Sequence, residues 1–494
     1  MRQMSLPKPT LVDLEFHRKS HWEVASEDQR KAIVAENQRK AAFGSDIWNE
    51  WNRQLHELAL KESIYDAFIY FDDVIWPEGA CFSGYHFYTH VSFVRAKFGS
   101  DTDGTSMFDK TTFDHVADFT DAEFCGNLVS FNDATFSGRA IFDQSTFSAE
   151  IVFFEGADFQ RGAQFSESKC LGSSISFSNS KFLGYTSFRG SKFLGDVYFD
   201  EITFDGESVF FAELDAETSS MSFNSSIFTV RLWVSFSLSQ FGKVSFNGTQ
   251  FNSTVFCAAA RFTDECSFEN AVFERAIRFG RSSFHHVPDL NFASFRQPPD
   301  LSTLQIPEPL KAPQNLPLAQ RYRKLKQLAA QAGDHEQELK FFGYEMRSKL
   351  MRPETPFPHK ALIWLYQALS KFGQSATRPV LALLFVFACS LLLHIPFMHE
   401  HYTGPDGEQV SRLACKTPGL SISPLDALIR ERLHHTLFVL PTERAERLLV
   451  MQCVYGKDQV VPGVYRFLNA VHFSVSALLL FLFGLAVRNR LKVK

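Results

Sequence analysis

The chain has 494 residues, a formal net charge of −5, 45% hydrophobic residues and 54 phenylalanines. That length points to about three domains, with a composition that is globular apart from its phenylalanine. Residues 81–296 hold 26 Asp+Glu against 16 Lys+Arg, so acidic a stretch that a nucleic-acid-binding role is excluded, because phosphate contacts need cations.

Taken in order, residues 1–60 contain no apolar run, so no cleavable signal peptide is expected. Residues 1–25 read as polar and irregular. Ser26 with Gln29 forms a capping-box pattern that starts a helix running to about Ala42, and Ser45 or Asp46 starts another through Trp48, Trp51, Leu55 and Leu58. Spacings of three and four give that second helix one apolar face. Residues 1–64 are therefore expected to cap whatever follows rather than to bind a ligand through the tryptophans.

From 65 to 296 phenylalanine returns every five or six residues: Phe82, Phe87, Phe93, Phe98, then Phe108, Phe113, Phe119, Phe124, then Phe131, Phe136, Phe142, Phe147, Phe153. The beat continues through Phe182, Phe188, Phe193, Phe199, Phe204 and Phe210, and again through Phe262, Phe268, Phe273, Phe279 and Phe284. A helix turning about 100° per residue scatters such a series around its cylinder, and a flat strand throws odd steps to opposite faces. The spacing is satisfied if the chain bends once per repeat in one sense, pointing each ring at a common axis. Small or aliphatic residues two before each Phe (Ala117, Ala134, Ala140, Ala157, Ala163, Val197) share that inward face. Glycine two after (Gly84, Gly138, Gly184, Gly190, Gly195, Gly206, Gly248) supplies unusual corner angles. The expected core includes Phe87, Phe93, Phe136, Phe142, Phe147, Phe159, Phe165, Phe182, Phe188, Phe193, Phe204, Phe262, Phe273 and Phe279.

The triplets ATF at 134–136, ADF at 157–159 and AQF at 163–165, each followed by a short polar turn, resemble the pentapeptide-repeat family. The resemblance implies an all-β, right-handed quadrilateral β-helix, here with Phe where Leu is common and an extra residue in alternate repeats. Coils of about 22 residues, roughly nine of them, are expected. The beat fails at 99–107, 212–222 and 229–240, where projecting loops are expected. The acidic residues of the first two segments lack calcium-loop spacing. Cys81, Cys125, Cys170, Cys257, Cys266 and Cys389 are scattered without C-x-x-C spacing and read as small reduced core residues.

After the repeats, 297–316 is a proline-rich linker and 317–352 a helical hairpin, with Leu318, Tyr322, Leu325 and Ala329 facing Leu339, Phe342 and Met346. Residues 353–378 form a juxtamembrane segment in which Trp364 and Tyr366 stand near Lys371 and Arg378. Two uncharged runs, 379–398 and 467–487, are long enough to cross a bilayer. The tail 488–494 carries Arg488, Arg490, Lys492 and Lys494, which places both termini in the cytoplasm by the positive-inside rule. The intervening 399–466 is then an extracytoplasmic module, with Cys415 and Cys453 a candidate disulfide pair. The ending FLFGLAVRNRLKVK and the segment GDHEQELKFFGYE are similar to a bacterial, membrane-anchored subgroup of the same family with two C-terminal spans, which implies an inner-membrane location.

No phosphate-binding glycine loop, nucleophile elbow, H-E-x-x-H or paired C-x-x-C occurs, so no catalytic residue, cofactor or metal is expected. The doublets His285-His286 and His434-His435 lack ligand partners at useful spacing, and His335 with Glu338 reads as a solvated pair. Within the second span Asn469, His472 and Ser476 form one polar stripe, either a helix contact or a water-lined path, while His394 lies near the end of the first. The reading that follows is a non-catalytic, membrane-tethered scaffold whose solenoid binds an unknown protein partner, with self-association left open. The alternatives are a subunit of an oligomeric channel and a DNA mimic that occupies the DNA groove of a topoisomerase, as some soluble pentapeptide-repeat proteins do.

Overall fold

The computed structural model of the chain describes residues 6–100, 103–310, 317–400, 415–417, 420–422, 424–437 and 463–492. It divides into two compact units, Met1–Asp334 and His335–Lys494. The first unit is a parallel β-solenoid between helical ends. Each coil contributes four short strands, and equivalent strands of successive coils pair in parallel, so that ten strands stack on the first face, from Phe68–Tyr70 to Ile277–Arg278. Ala117, Ala140 and Ala163 stand in register there. The coil is therefore 23 residues where the repeat is most regular, one longer than the sequence estimate, and there are about ten coils.

The core is four ladders of stacked rings. Phe87, Phe113, Phe136, Phe159, Phe182 and Phe204 lie one above another with centroids 4.6–5.1 Å apart. This ladder continues through Phe228, Phe251 and Phe273 to Phe295. A second ladder runs through Phe93, Phe119, Phe142, Phe165 and Phe188. A third contains Phe98, Phe124 and Phe147, then Cys170 and Phe193, with Phe241, Phe262 and Phe284 further on. The fourth holds Phe108, Phe131, Phe154, Phe177 and Phe199, and Phe279 is also buried. Some neighbouring ladders meet edge to face, as between Phe131 and Phe142 at 89°, and others are tilted, as between Phe142 and Phe147 at 42°, so a ring inside a ladder is stacked above and below and packed edgewise or tilted at its sides. Cys170 is the short member of its ladder, and burial pushes its thiol well above the ordinary range. The Cys257 thiol is likewise pushed up to about 12, so neither is a reactive thiolate.

Several details depart from the sequence reading. In the Phe153-Phe154 and Phe210-Phe211 doublets the inward ring is the second, because the register with the coil before sets Phe153 beside Ser130 and Phe210 beside Ser187, which leaves Phe154 and Phe211 to stack on Phe131 and Phe188. Glycines two after a Phe serve two purposes. Gly190 adopts φ 71, the left-handed corner that non-glycine residues such as Asp121, Asp133 and Gln144 also occupy at equivalent corners. Gly138 has an ordinary φ, but a Cβ there would lie 2.1 Å from the backbone of His115 in the preceding coil. The segment 212–222 is not a projecting loop: Asp215–Ser222 is a continuous strand that turns a corner, pairs with Gln240–Ser245 through a register shift, and fuses two faces into one 16-stranded sheet. Residues 233–235 are likewise an ordinary strand of the first face.

Both solenoid ends are closed. Residues 6–25, expected to be irregular, contain α1 (Leu11–Phe16) and α2 (Lys19–Val24). Next come α3 (Glu27–Ala41), with the Ser26–Gln29 capping box, and α4 (Ser45–Lys61). Trp48 lies against Phe71 and Phe87, with Trp51 and Leu55 also buried. The open strand edge is satisfied by side chains: the Asn49 amide donates to the Gly84 carbonyl and accepts from His86 N–H, Asn52 accepts from Tyr88 N–H, and Asn37 donates to the Tyr70 carbonyl. At the other end Leu301 and Leu304 are buried, and Asp300 and Gln305 bridge in parallel to the coil before, within the stretch read as a linker. Helix α5 (Leu318–Gln331) is anchored there by Arg321, donating to the Val287 carbonyl at 2.7 Å and paired with Asp289, and by Lys324 on the Ala293 carbonyl. The boundary between units, after Asp334, falls inside the expected 317–352 hairpin.

The second unit contains α6 (His335–Met351), α7 (Phe357–Ser370), α8 (Thr377–Glu400), α9 (Pro424–Thr436) and α10 (Gly463–Lys492), with a two-stranded hairpin of Cys415–Thr417 and Leu420–Ile422. Helices α8 and α10 are each long and apolar enough to cross a membrane, over Thr377–His394 and within Arg466–Lys492.

Two measurements check this account. Phe154→Ala should cost about 3–5 kcal/mol in denaturant unfolding, whereas Phe153→Ala should cost less than about 1. Burial holds the His17 pKa down at about 4, so the stability it contributes is present above its ordinary value of 6.5 and is lost as pH falls toward 4. Burial of His90, also at about 4, acts the same way, while burial of Asp72, raising its pKa to about 6, opposes them in acid. Tryptophan fluorescence should report loosening of the N-terminal cap between pH 6.5 and 4, and His17→Gln should flatten that response.

Candidate functional site

Two regions carry side chains that packing of the solenoid core does not use. The first is the outer surface of the first face. Val209, Val234 and Val255 point inward on successive coils, so by the two-residue alternation of a strand their neighbours Phe210, Trp233 and Phe256 point out. Tyr185 is 45% exposed and lies 5.6 Å from Phe210, while Trp233 is 39% exposed and meets Phe256 edge to face at 6.5 Å. The Arg278 guanidinium sits over Phe256 at 5.6 Å. An aromatic patch with a cation at its margin is what protein interfaces are enriched in. The sequence signal for it was present: Tyr185, Phe210, Trp233 and Phe256 each stand one residue off a ladder position or outside the beat. Elsewhere on the exterior, many acidic side chains are paired to cations one coil away, as in Arg95–Asp73, Lys97–Glu123, Arg189–Glu213 and Lys192–Asp215.

The second region is the polar stripe of α10. His472 shares hydrogen bonds of 3.0 Å with Ser390 of α8 and with Thr436 of α9. Asn469 accepts from Arg432 of α9 at 2.6 Å. Arg432 is fully buried, pairs with Glu431 and reaches His394 Nε2 at 3.0 Å. Arginine has only donors, so Nε2 of His394 accepts and its Nδ1 carries the proton donated to the Ser390 carbonyl at 2.7 Å. Ser476 is buried, and its hydroxyl has no partner among the described residues. Asn469 and His472 of the stripe therefore meet Arg432 and Thr436, two residues of the intervening segment not singled out from the sequence. The pattern R-x-x-x-T, which puts both on one helical face, was the available signal.

Among the described residues no group of three or more His, Cys, Asp or Glu side chains is placed to hold a metal. His335 pairs with Glu338 at 3.1 Å, and His286 approaches Asp264 at 3.6 Å. The Cys415–Cys453 pairing lies outside the residues whose side chains are described.

Replacing Arg432 by Met leaves the His394 and Asn469 acceptors without their donor. It should lower the thermal stability of the detergent-solubilised chain by about 1–3 kcal/mol, whereas His434→Gln on the same helix should leave it unchanged.

Residues 154–203 match the family described as Pentapeptide repeats (9 copies). No curated protein matches the chain. The matched segment spans about two coils, in which four strands and the inward residues recur in register, and this part of the solenoid is accordingly a pentapeptide-repeat solenoid.

Proposed function

We propose that the chain is a non-catalytic scaffold of the bacterial inner membrane, moored by α8 and α10 with both termini cytoplasmic, whose solenoid docks a protein partner on its first face. The observation that carries this reading is the contrast between inside and outside: the ring ladders fill the solenoid interior, while Tyr185, Phe210, Trp233 and Phe256 place aromatic rings on the outside of one face. A filled solenoid offers extended surface in place of a reaction pocket. Mooring is supported by the length and apolarity of α8 and α10 and by the basic end of the latter, Arg488, Arg490 and Lys492.

A photo-crosslinking amino acid at position 233 of the full chain in intact cells should give an adduct of one discrete mass, and one at position 118, earlier on the same face, should not. Tyr185→Ala with Trp233→Ala should abolish the adduct from a probe placed at 256 without moving the melting temperature. Identical labelling from 118 and 233, or none from either, would sink the docking assignment. Recovery of the chain in the soluble fraction without detergent would sink the mooring.

A further inference from the structure

In the second unit, α6, the turn after α7, the start of α8 and the end of α10 enclose a cleft of about 700 Å³. Four cations from four different elements line it, Lys340, Lys371, Arg378 and Arg490, against one carboxylate, Glu336. None of the four has an ion-pair partner within 4 Å among the described residues, although cations elsewhere on this chain are commonly paired. The cleft is a built feature of the fold. Lys371, Phe372 and Gly373 take left-handed conformations in succession, with φ of 51, 59 and 78, which reverses the chain between α7 and α8. The Asn489 amide holds that turn to the end of α10 by donating to the Gly373 carbonyl at 3.2 Å. Unneutralised like charges converging on one concavity raise the local potential, and an anion bound there relieves it.

The surroundings indicate which anion. Helix α7, which leads into the turn, leaves Phe357, Leu362, Trp364 and Leu365 exposed, at 81%, 63%, 63% and 40%. The first turns of α8, which leave it, expose Leu381, Leu384 and Phe385. A cationic cleft at the foot of two membrane-length helices, flanked by an apolar helix surface bearing tryptophan, matches the two halves of a phospholipid. We propose that this cleft binds the phosphate headgroup of an anionic phospholipid, whose acyl chains lie along α7 and the first turns of α8. The inference rests on the membrane mooring proposed above.

The test uses the full chain extracted in detergent and analysed by native mass spectrometry with phosphatidylglycerol or phosphatidylcholine. Wild type should retain phosphatidylglycerol at least about tenfold more than phosphatidylcholine. Lys371→Gln with Arg378→Gln and Arg490→Gln should abolish that preference, whereas Arg352→Gln with Lys360→Gln and Lys492→Gln, an equal loss of charge outside the cleft, should keep it. Lys340→Gln alone should weaken retention, which keeps the assignment testable if the triple variant does not fold. No preference in wild type, or equal loss in both triple variants, would overturn the cleft assignment. Displacement of the lipid by millimolar inorganic phosphate would identify a soluble anion as the occupant and overturn the lipid. A chain that stays soluble without detergent yet binds inorganic phosphate in the cleft would overturn the mooring separately from the site.

Discussion

Registry between aromatic rings in successive coils is the constraint on which the solenoid depends. A phenylalanine ring has no rotamer freedom to spare once it is stacked above and below and edge-packed on both sides, so each coil repeats the backbone path of the one before. Where the coil gains or loses a residue, the ring position is kept and the backbone absorbs the change. The corner-turning strand Asp215–Ser222, which pairs with Gln240–Ser245 through a register shift, is such a place. Insertion there appears as a longer strand with a bulge rather than as a projecting loop, because a strand that remains paired on both sides keeps its backbone hydrogen bonds satisfied.

A stack of coils ends in open edges and uncovered rings, and each end solves this with a helix. At the start, Asn37, Asn49 and Asn52 lend their side-chain amides to the strand edge while Trp48 covers the ladders. At the finish, Arg321 and Lys324 of α5 donate to backbone carbonyls of the last coils. These groups do the work of a further coil without offering a paired edge to another chain. Closed at both ends and filled within, the solenoid has its sides exposed, and on the first face these sides carry aromatic rings that the core does not use.

The helical unit follows a different logic. Its two long helices are apolar on most sides, so the few polar groups on them need partners, and α9 brings Arg432 and Thr436 to meet His394, Asn469 and His472. At the opposite end Lys340, Lys371, Arg378 and Arg490 line one cleft with a single carboxylate, Glu336.

The sequence by itself determined the solenoid, because a five-and-six spacing of phenylalanine is incompatible with a helix or a flat sheet and because inward rings cannot be exchanged for outward polar residues without losing the core. It also determined two helices of membrane-crossing length, since length and apolarity are local properties. It could not decide which ring of Phe153-Phe154 or Phe210-Phe211 faces the axis, because that depends on the register each strand takes against the coil before it. Nor could it separate glycines needed for a left-handed corner from those, like Gly138, needed for close approach of a neighbouring coil. The outward aromatic patch, the meeting of Arg432 with the polar stripe and the cationic cleft were decided only by the tertiary structure. Each gathers residues from elements distant in the chain, and no periodicity records which distant elements will be neighbours.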